Sequence, residues 1–268
     1  MKADLHVHSH FSDGSDAVSE VMRQAKKNGV THLSFVDHDT VDNLLEIQRQ
    51  AKRFDIRVIP GIEISAYDFK RKRKVHILGY NYKLEASHIR NLCNPLLDRR
   101  NDHSLWQIRK INDLGYQIDE QVIKQKALPS NTIYKQHIMQ ELTEVPYDST
   151  EYGNLYQQLF KYNGVARGDI VYIDAFDAVE SIVKDGGIAV VAHPGQLDSY
   201  DLIPELVEIG LGGVERNHPD HTIRDHDKVE TLAEELNLFM TGGTDYHGRF
   251  GTPIQIGEIT SPINKLLV

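Results

Sequence analysis

Short apolar runs alternate with helical patterns along most of the chain. Between the runs, apolar residues recur at three- and four-residue spacing, as in SDAVSEVMRQAKKNG and DHDKVETLAEEL. Strands that alternate with helices predict a parallel sheet covered by helices, and this many strands over this length favours a barrel over an open sheet. The predicted strands lie in ADLHVH, THLSFVDHD, IRVIPGIEIS, KVHILGY, IAVVAHPG, GGVERNHP and LFMTGGTDYHG.

Residues 85–165 interrupt this rhythm. They contain several helical stretches and no convincing strand alternation. We therefore predict an α/β fold in which residues 1–84 and 166–268 form the barrel domain. Residues 85–165 are then a helical insertion, expected to cap the barrel mouth.

Composition narrows the class of protein. The chain has 268 residues, 40% of them hydrophobic, and a net charge of −9, which argues against a broad basic surface for duplex nucleic acid. Its single cysteine excludes an intrachain disulfide and a thiolate metal cluster. Neither a leader-like apolar segment nor a membrane-length apolar run is visible. We expect a cytoplasmic protein without membrane partners.

The first strand carries the clearest chemistry. In DLHVHSHFSDGSD, residues 4–16, His6, His8 and His10 alternate with other residues. Side chains on a strand alternate faces, so these imidazoles share one face. Two imidazoles placed in this way can bind one metal ion, although a solvated histidine-rich strand would have the same pattern.

Further polar candidates lie at or just after the other strands. In a parallel αβ barrel the carboxyl ends of the strands meet at one mouth, so these segments are expected to converge there. The candidates are Asp13, Asp37, His38, Asp39, Glu63, His76, His193, Glu215, His218, Asp245 and His247.

Six motifs together resemble the PHP (polymerase and histidinol phosphatase) family. They are DLHVHSHFSDGS, FVDHDT, PGIEIS, HILGY, GGIAVVAHPG and GGTDYHG, in the order found in that family. The resemblance implies a distorted (β/α)7 TIM-like barrel and a trinuclear metal centre for phosphoester hydrolysis. It is strongest to the single-domain members that act on nucleoside phosphates and short oligonucleotides.

The resemblance also implies a ligand set. One metal would take His6, His8, Glu63 and Asp245, and a second would share Glu63 and add His76 and His193. A third would take Asp13, His38 and His247. Imidazole and carboxylate ligands suit Mn, Fe or Zn without choosing among them. A metal-bound hydroxide would then attack phosphorus while the metals hold the phosphoryl oxygens.

Three residues outside the ligand set are candidates for catalysis or binding. His218 could protonate the leaving oxygen, or be a surface histidine before Pro219. Asp37 could orient a ligand histidine. Arg216 could meet a phosphate, or be a solvated arginine at a strand end.

The insertion departs from the family pattern. Relatives typically carry an Arg-Pro-His element near the mouth, whereas this chain has NTIYKQHIMQEL. His137 keeps its place, but Lys135 and Gln136 replace the Arg-Pro pair. We expect Lys135 and His137 to contact substrate, with Lys135 as a looser point charge than arginine.

Three functions remain open from the sequence. The first is a metal-dependent phosphoesterase that acts on a nucleotide or a short oligonucleotide end. The second is a phosphatase for another small metabolite, with histidinol phosphate as the leading candidate. The third is an inactive, metal-stabilised binding module, which predicts lost ligands, although all nine are present.

Overall fold

The computed structural model describes residues 1–267, and each of the seven predicted strand runs contains a strand. The strands are β1 (Ala3–Val7), β2 (His32–Phe35), β3 (Arg57–Val58), β4 (Gly61–Asp68), β5 (Arg73–Tyr80), β6 (Ile173–Asp174), β7 (Ile188–Val191), β8 (Leu211–Asn217) and β9 (Phe239–Gly242). The α-helices are α1 (Val18–Lys27), α2 (Leu44–Phe54), α3 (Ser87–Asn112), α4 (Glu120–Ala127), α5 (Lys135–Leu142), α6 (Thr150–Phe160), α7 (Ala175–Lys184), α8 (Pro194–Leu197), α9 (Ile203–Val207) and α10 (Ile223–Glu235). Short 3-10 helices cover Tyr200–Leu202 and Gly248–Phe250.

The strands form two sheets that join into one ring. One sheet has the order β1-β2-β3 and the other has the order β6-β4-β5-β7-β8-β9. Isolated bridges connect them, from Val7 to Tyr246 beyond β9 and from His38 beyond β2 to Glu63 in β4. The short strand β6, which the sequence pattern did not predict, pairs outside this ring with β4.

One strand runs against the predicted parallel direction. β5 is antiparallel to both of its neighbours, β4 and β7. The physical reason is the connection, because residues 69–72 alone join β4 to β5 and a parallel pair needs a much longer crossover. The basic run FKRKRKVH, residues 69–76, therefore includes a hairpin turn.

Alternation along β5 separates the barrel interior from its helical cover. Val75 and Ile77 pack in the core beneath the helices, whereas Leu78 and Tyr80 belong to the interior cluster. His76 shares the face of Leu78 and Tyr80. The same two-residue period lets one strand support the packed core and the polar mouth.

The region from α3 to α6 is helical, with no strand in the described residues 87–160. It has a hydrophobic cluster of its own, which includes Ile108, Ile138 and Leu159. The first half of α3 packs instead in the barrel core, through Ile89 and Leu96. Helix α3 therefore connects the two cores. Within residues 1–267, none of the helices combines the length and the apolar character that crossing a lipid bilayer requires.

A buried carboxylate holds the seam between β1 and the segment after β9. Asp4 is fully buried and accepts hydrogen bonds from the backbone N–H groups of Thr244 and Gly257, at 3.0 and 2.8 Å, and from the Thr244 hydroxyl at 2.7 Å. Gly243 allows the two segments to approach, because a Cβ there would lie 2.4 Å from the His6 backbone nitrogen. Asp4 thus satisfies donors that the seam would otherwise bury unpaired.

Replacing Asp4 with asparagine should weaken this seam. The amide turns one acceptor oxygen into a donor that faces an N–H group, and a buried unsatisfied group costs about 1–3 kcal/mol. We expect D4N to lower the free energy of unfolding by about that amount in urea titrations with EDTA. The matched control D55N removes a fully exposed carboxylate and should stay within about 0.5 kcal/mol of the unmodified protein. Equal stability of D4N and D55N would contradict the proposed role of Asp4.

Candidate metal centre

The structure brings all nine predicted ligands together at one end of the ring. Most follow the carboxyl ends of parallel strands, whereas His6 and Glu63 lie within β1 and β4, and His76 lies in the amino-terminal half of β5. Because β5 is antiparallel, its amino end is level with the carboxyl ends of its neighbours. The nine residues, all buried or half-buried, are His6, His8, Asp13, His38, Glu63, His76, His193, Asp245 and His247.

The first group consists of His6, His8, Glu63 and Asp245. The Nε2 atom of His6 is 3.3 Å from Glu63 Oε2 and 3.2 Å from Asp245 Oδ1. The Nε2 atom of His8 is 3.1 and 3.2 Å from the same two oxygens. Two ligand atoms on one ion with bonds of about 2.1 Å are themselves about 3.0–3.4 Å apart. The spacing therefore fits one ion held among these four side chains.

Glu63 also faces a second group. Its Oε1 atom is 2.8 Å from His76 Nδ1 and 3.0 Å from His193 Nε2. Its Oε2 atom is 3.5 Å from His38 Nδ1. The two oxygens of one carboxylate thus point at two neighbouring positions, which is the arrangement of a bridging ligand.

The third group is wider. The Nε2 atom of His247 is 3.3 Å from Asp13 Oδ1, and the Nε2 atom of His38 is 4.0 Å from Asp13 Oδ2. His8 lies beside this group, with its Nδ1 atom 3.7 Å from Asp13 Oδ1. Asp13 and the two histidines converge from three separate loops.

Unpaired nitrogen atoms support metal binding more directly than proximity does. His8 Nε2 and His38 Nδ1 are buried and have no hydrogen-bond partner, although both lie close to the Glu63 carboxylate. A buried polar atom without a partner is costly, and a cation between nitrogen and oxygen satisfies both. The donors are imidazole and carboxylate without thiolate, a set that suits Mn, Fe or Zn.

The charges of the cluster are mutually dependent. Burial alone would raise the pKa of Glu63, but His38, His6 and His76 hold that pKa well below its usual range. Burial alone would lower the pKa of His8, but the adjacent carboxylates of Asp245 and Glu63 raise it to about 10. The carboxylates are thus ionised and ready to bind cations, which replace imidazole protons when they bind.

Glu215 is a functional residue to which the sequence analysis gave no role. It is fully buried and accepts a hydrogen bond from His6 Nδ1 at 2.9 Å. Its second oxygen accepts the backbone N–H of His193 at 2.9 Å. The donated proton leaves the lone pair of His6 Nε2 directed at Glu63 and Asp245, which is how a carboxylate orients a metal-binding histidine. The signal in the sequence that could have identified Glu215 was its position near the end of a strand.

Left-handed backbone marks three positions around the cluster. Asp39, His193 and Asp245 have φ angles of 59°, 23° and 50°. Such conformations cost about 1–3 kcal/mol for residues with a side chain and persist where other contacts require them. Asp39 is held by its N–H bond to the Glu63 carbonyl at 2.9 Å, and His193 is held by Glu215.

Arg216 does not join the cluster, contrary to the expected substrate contact. It follows Glu215 on β8, and adjacent strand residues face opposite sides. Since Glu215 faces inward, the Arg216 guanidinium faces α10 and pairs with Glu230 at 2.5 Å. It also donates to the Asn217 side chain at 2.6 Å.

Asp37 has a different role from the expected one of orienting a histidine. Its carboxylate accepts the backbone N–H of Ser9 at 2.7 Å and the hydroxyls of Ser9 and Ser12, each at 2.8 Å. It also accepts from the Asn43 amide at 2.5 Å. These bonds satisfy the oxygens of a fully buried carboxylate. Asp37 therefore fixes the conformation of the loop between His8 and Asp13 rather than the orientation of an imidazole.

His218 does lie beside the cluster. Its side chain is buried, and its Nε2 atom is 3.3 Å from Asp245 Oδ2. Its Nδ1 atom accepts the backbone N–H of Asp220 at 3.1 Å. In the neutral ring the proton is therefore on Nε2, the atom that faces the cluster. This is the geometry that a proton donor at this mouth requires.

The three residues at the start of α5 have different positions. His137 is buried, and its Nδ1 atom accepts the backbone N–H of Tyr134 at 3.1 Å, so it caps α5. That contact gives His137 a structural role at the start of α5, and its expected contact with substrate stays a prediction. Gln136 contacts the cluster instead, donating to Asp13 Oδ2 at 3.0 Å. Lys135 lines the cavity.

A cavity of about 640 Å³ lies beside the cluster, bounded by the barrel and the insertion. Asp13, His38 and His76 line its barrel side, and side chains from α3, α5 and α6 line the other. Arg100 joins the two sides through a bond of 2.6 Å to the buried Asp39. The cavity therefore opens directly onto the predicted second and third metal groups.

Comparison with known proteins agrees with this geometry. The model of the PHP domain matches residues 4–183. The chain belongs to the PHP family. A relative from Eggerthella lenta, named phosphoribosyl 1,2-cyclic phosphate 1,2-diphosphodiesterase, is 49% identical over 96% of this chain and 98% of its own length. A 3',5'-nucleoside bisphosphate phosphatase from Chromobacterium violaceum is 26% identical over 97% of this chain and 93% of its own length.

Solved structures confirm the fold class. A protein from Bifidobacterium adolescentis, described as a candidate metal-dependent phosphoesterase, aligns with a TM-score of 0.86. It is 22% identical, and the alignment covers 97% of this chain and 92% of that one. The chain thus has the distorted TIM-barrel fold. Its PHP family membership and its 49% identical phosphodiesterase relative identify it as a metal-dependent phosphoester hydrolase.

Changing Glu215 should weaken metal binding without removing a ligand. E215Q keeps the size of the side chain but loses the carboxylate that orients His6, and such changes cost about 10- to 100-fold in metal affinity. We expect that loss in Mn²⁺ titrations followed by calorimetry. E230Q is the matched control, because Glu230 lies on α10 and pairs with Arg216, outside the cluster. Equal Mn²⁺ affinity in E215Q and E230Q would remove Glu215 from the metal centre.

Proposed function

We propose that this PHP protein hydrolyses the cyclic phosphodiester of a phosphorylated ribose, such as phosphoribosyl 1,2-cyclic phosphate. The observation that carries the proposal is the convergence of nine metal-ligand candidates beside a cavity of about 640 Å³, large enough for one small sugar phosphate. The substrate in the name of the Eggerthella lenta relative supports the cyclic ester.

The three ligand groups would hold three divalent ions. His6, His8, Glu63 and Asp245 hold the first, Glu63 with His76 and His193 the second, and Asp13 with His38 and His247 the third. When bound, such ions neutralise phosphate charge and activate water as the nucleophile. The protein residues fix the positions of these ions, and the cap restricts access by bulk water and long nucleic acids.

His218 would supply a proton to the leaving group. Ring opening breaks one P–O bond, adds the oxygen of water to phosphorus and leaves a sugar alkoxide. The Nε2 proton of His218 then neutralises that alkoxide, so the products are a phosphate monoester and a sugar hydroxyl. Asp245 Oδ2, at 3.3 Å from Nε2, orients the ring.

A nucleotide substrate is the second candidate. Tyrosines line the cavity and offer ring faces on which a base can stack, and the named activity of the Chromobacterium violaceum relative belongs to this substrate class. The cavity-lining tyrosines are Tyr134, Tyr147, Tyr152, Tyr156 and Tyr172.

A substrate panel tests the proposal. We expect the protein loaded with Mn²⁺ to have its highest kcat/KM for phosphoribosyl 1,2-cyclic phosphate. The comparison compounds are a nucleoside 3',5'-bisphosphate, histidinol phosphate and a short 5'-phosphorylated RNA. EDTA should abolish turnover and Mn²⁺ should restore it, with three ions per chain by elemental analysis. A higher kcat/KM for the bisphosphate would favour the second candidate, and a single bound ion would refute the trinuclear centre.

The proton donor can be tested through the leaving group. H218N should lower kcat by about 10²- to 10⁴-fold for a sugar-phosphate ester, whose alkoxide needs a proton. The loss should be much smaller for p-nitrophenyl phosphate, whose leaving group is stable as an anion. H226N, on α10, is the control variant, and metal content is measured for both variants. Equal losses on the two substrates, with normal metal content, would argue against proton donation by His218.

A further inference from the structure

The side of the cavity formed by the insertion is cationic. Lys135 on α5 and Lys161 just after α6 line it, together with Lys74 from β5. We propose that Lys135 and Lys161 bind a second phosphate group of the substrate, remote from the phosphate at the metal centre. This inference rests on the proposed function, because it places a doubly phosphorylated sugar between the two ends of one cavity.

The three lysines also line a neighbouring, more open cavity of about 1070 Å³. The three lysines therefore lie between the cavity beside the ligand cluster and this more open cavity. The position suits an anionic group at the end of a short substrate whose other end is at the metals. A phosphate monoester dianion has the charge and the acceptor oxygens to contact two ammonium groups at once.

The lysines differ in how far their charge is already balanced. Lys74 pairs with Asp169 at 2.7 Å and lies 4.8 Å from the centre of the Tyr172 ring. Within residues 1–267, neither Lys135 nor Lys161 has an ion-pair partner. The Nζ atom of Lys135 lies 5.9 Å from the centre of the Phe160 ring. The Nζ atom of Lys161 lies 5.8 Å from the centre of the Tyr156 ring.

The electrostatics of Lys135 agree with an unfilled anion site. Burial, and then the neighbouring charge of Lys74, lower the pKa of Lys135 to about 8, and Lys161 and Arg100 add to this effect. Asp169 is the acid that opposes it, and Lys74 already pairs with Asp169. A bound dianion would relieve the mutual repulsion of these cations.

Arg100 is not available for the same task. Its guanidinium donates to Asp39 at 2.6 Å and to the Ser65 hydroxyl at 3.0 Å, and it lies 5.0 Å from the Tyr134 ring centre. The Arg100 side chain therefore joins α3 to the barrel through these bonds. Among the cavity cations, this leaves Lys135 and Lys161 as the two free to meet a ligand.

Paired substrates test the proposal. Lys135→Met and Lys161→Met keep most of the apolar stem and remove the charge. The readout is the ratio of kcat/KM for phosphoribosyl 1,2-cyclic phosphate to that for ribose 1,2-cyclic phosphate, which lacks the second phosphate. We expect each variant to lower this ratio by about tenfold to hundredfold, the value of a charge-assisted contact, mainly through KM. Lys135→Arg should recover part of the ratio.

The control is Lys126→Met. Lys126 lies on α4 of the same insertion and pairs with Glu141, and it does not line the cavity. For Lys126→Met, the ratio of the two kcat/KM values should equal that of the unmodified protein. Unchanged ratios in both Lys135→Met and Lys161→Met would overturn the proposal.

A second measurement does not depend on turnover. Calorimetry with ribose 5-phosphate in EDTA should give a dissociation constant about tenfold to hundredfold higher for Lys135→Met and Lys161→Met than for Lys126→Met. No binding by the unmodified protein, or equal binding by all variants, would overturn the phosphate site. If the metal-loaded protein cleaves neither cyclic phosphate, the proposed function fails, and this titration still decides whether the lysines bind phosphate.

Discussion

The carboxylate of Glu63 is the charge on which the rest of the site depends. It is buried inside the barrel, where an isolated carboxylate would be strongly disfavoured. The ring of histidines makes its ionised form favourable, and each oxygen faces a different group of imidazoles. Because the same carboxylate faces two ligand groups, the segments that carry those histidines must bring them to one level of the barrel.

The architecture meets this requirement through strand direction and through the seam. The antiparallel strand β5 brings His76 level with residues that follow the ends of the parallel strands. Asp4 joins β1 to the segment that carries Asp245, and Glu215 links the His6 ring to the His193 backbone. Buried carboxylates thus have two roles in this structure. Some are ligand candidates, and others accept hydrogen bonds that hold the ligand-bearing segments in place.

The helical insertion is joined to the barrel beside the third ligand group. Its contacts with the barrel converge on the third ligand group, since Gln136 donates to Asp13 and the Tyr134 hydroxyl donates to the His38 carbonyl at 2.9 Å. The position of the insertion and the geometry of the metal centre are therefore linked by direct hydrogen bonds. The cavity lies between the two, and its size is the reason that the proposed substrates are compact phosphorylated molecules.

The sequence by itself determined the features that follow from local periodicity. Alternation on a strand places His6 and His8 on one face, and polar residues at strand ends predict a shared mouth, so the barrel and the convergence of polar residues could be predicted. The choice of nine ligands among those residues came from the resemblance to the PHP family. The short β4–β5 connection could have indicated the antiparallel pair as well. Alternation also forbids Glu215 and Arg216 from facing the same side, but it does not say which of them faces inward.

Tertiary structure decided whatever depends on contacts between distant segments. Only packing shows that Glu215 supports His6, that Arg216 pairs with Glu230 and that Asp37 holds the loop before Asp13. The lysines of the cavity come from β5, α5 and the end of α6, and no periodicity relates them. The physical reason is that a strand pattern defines a face, whereas a partner in space depends on how the chain returns to that face.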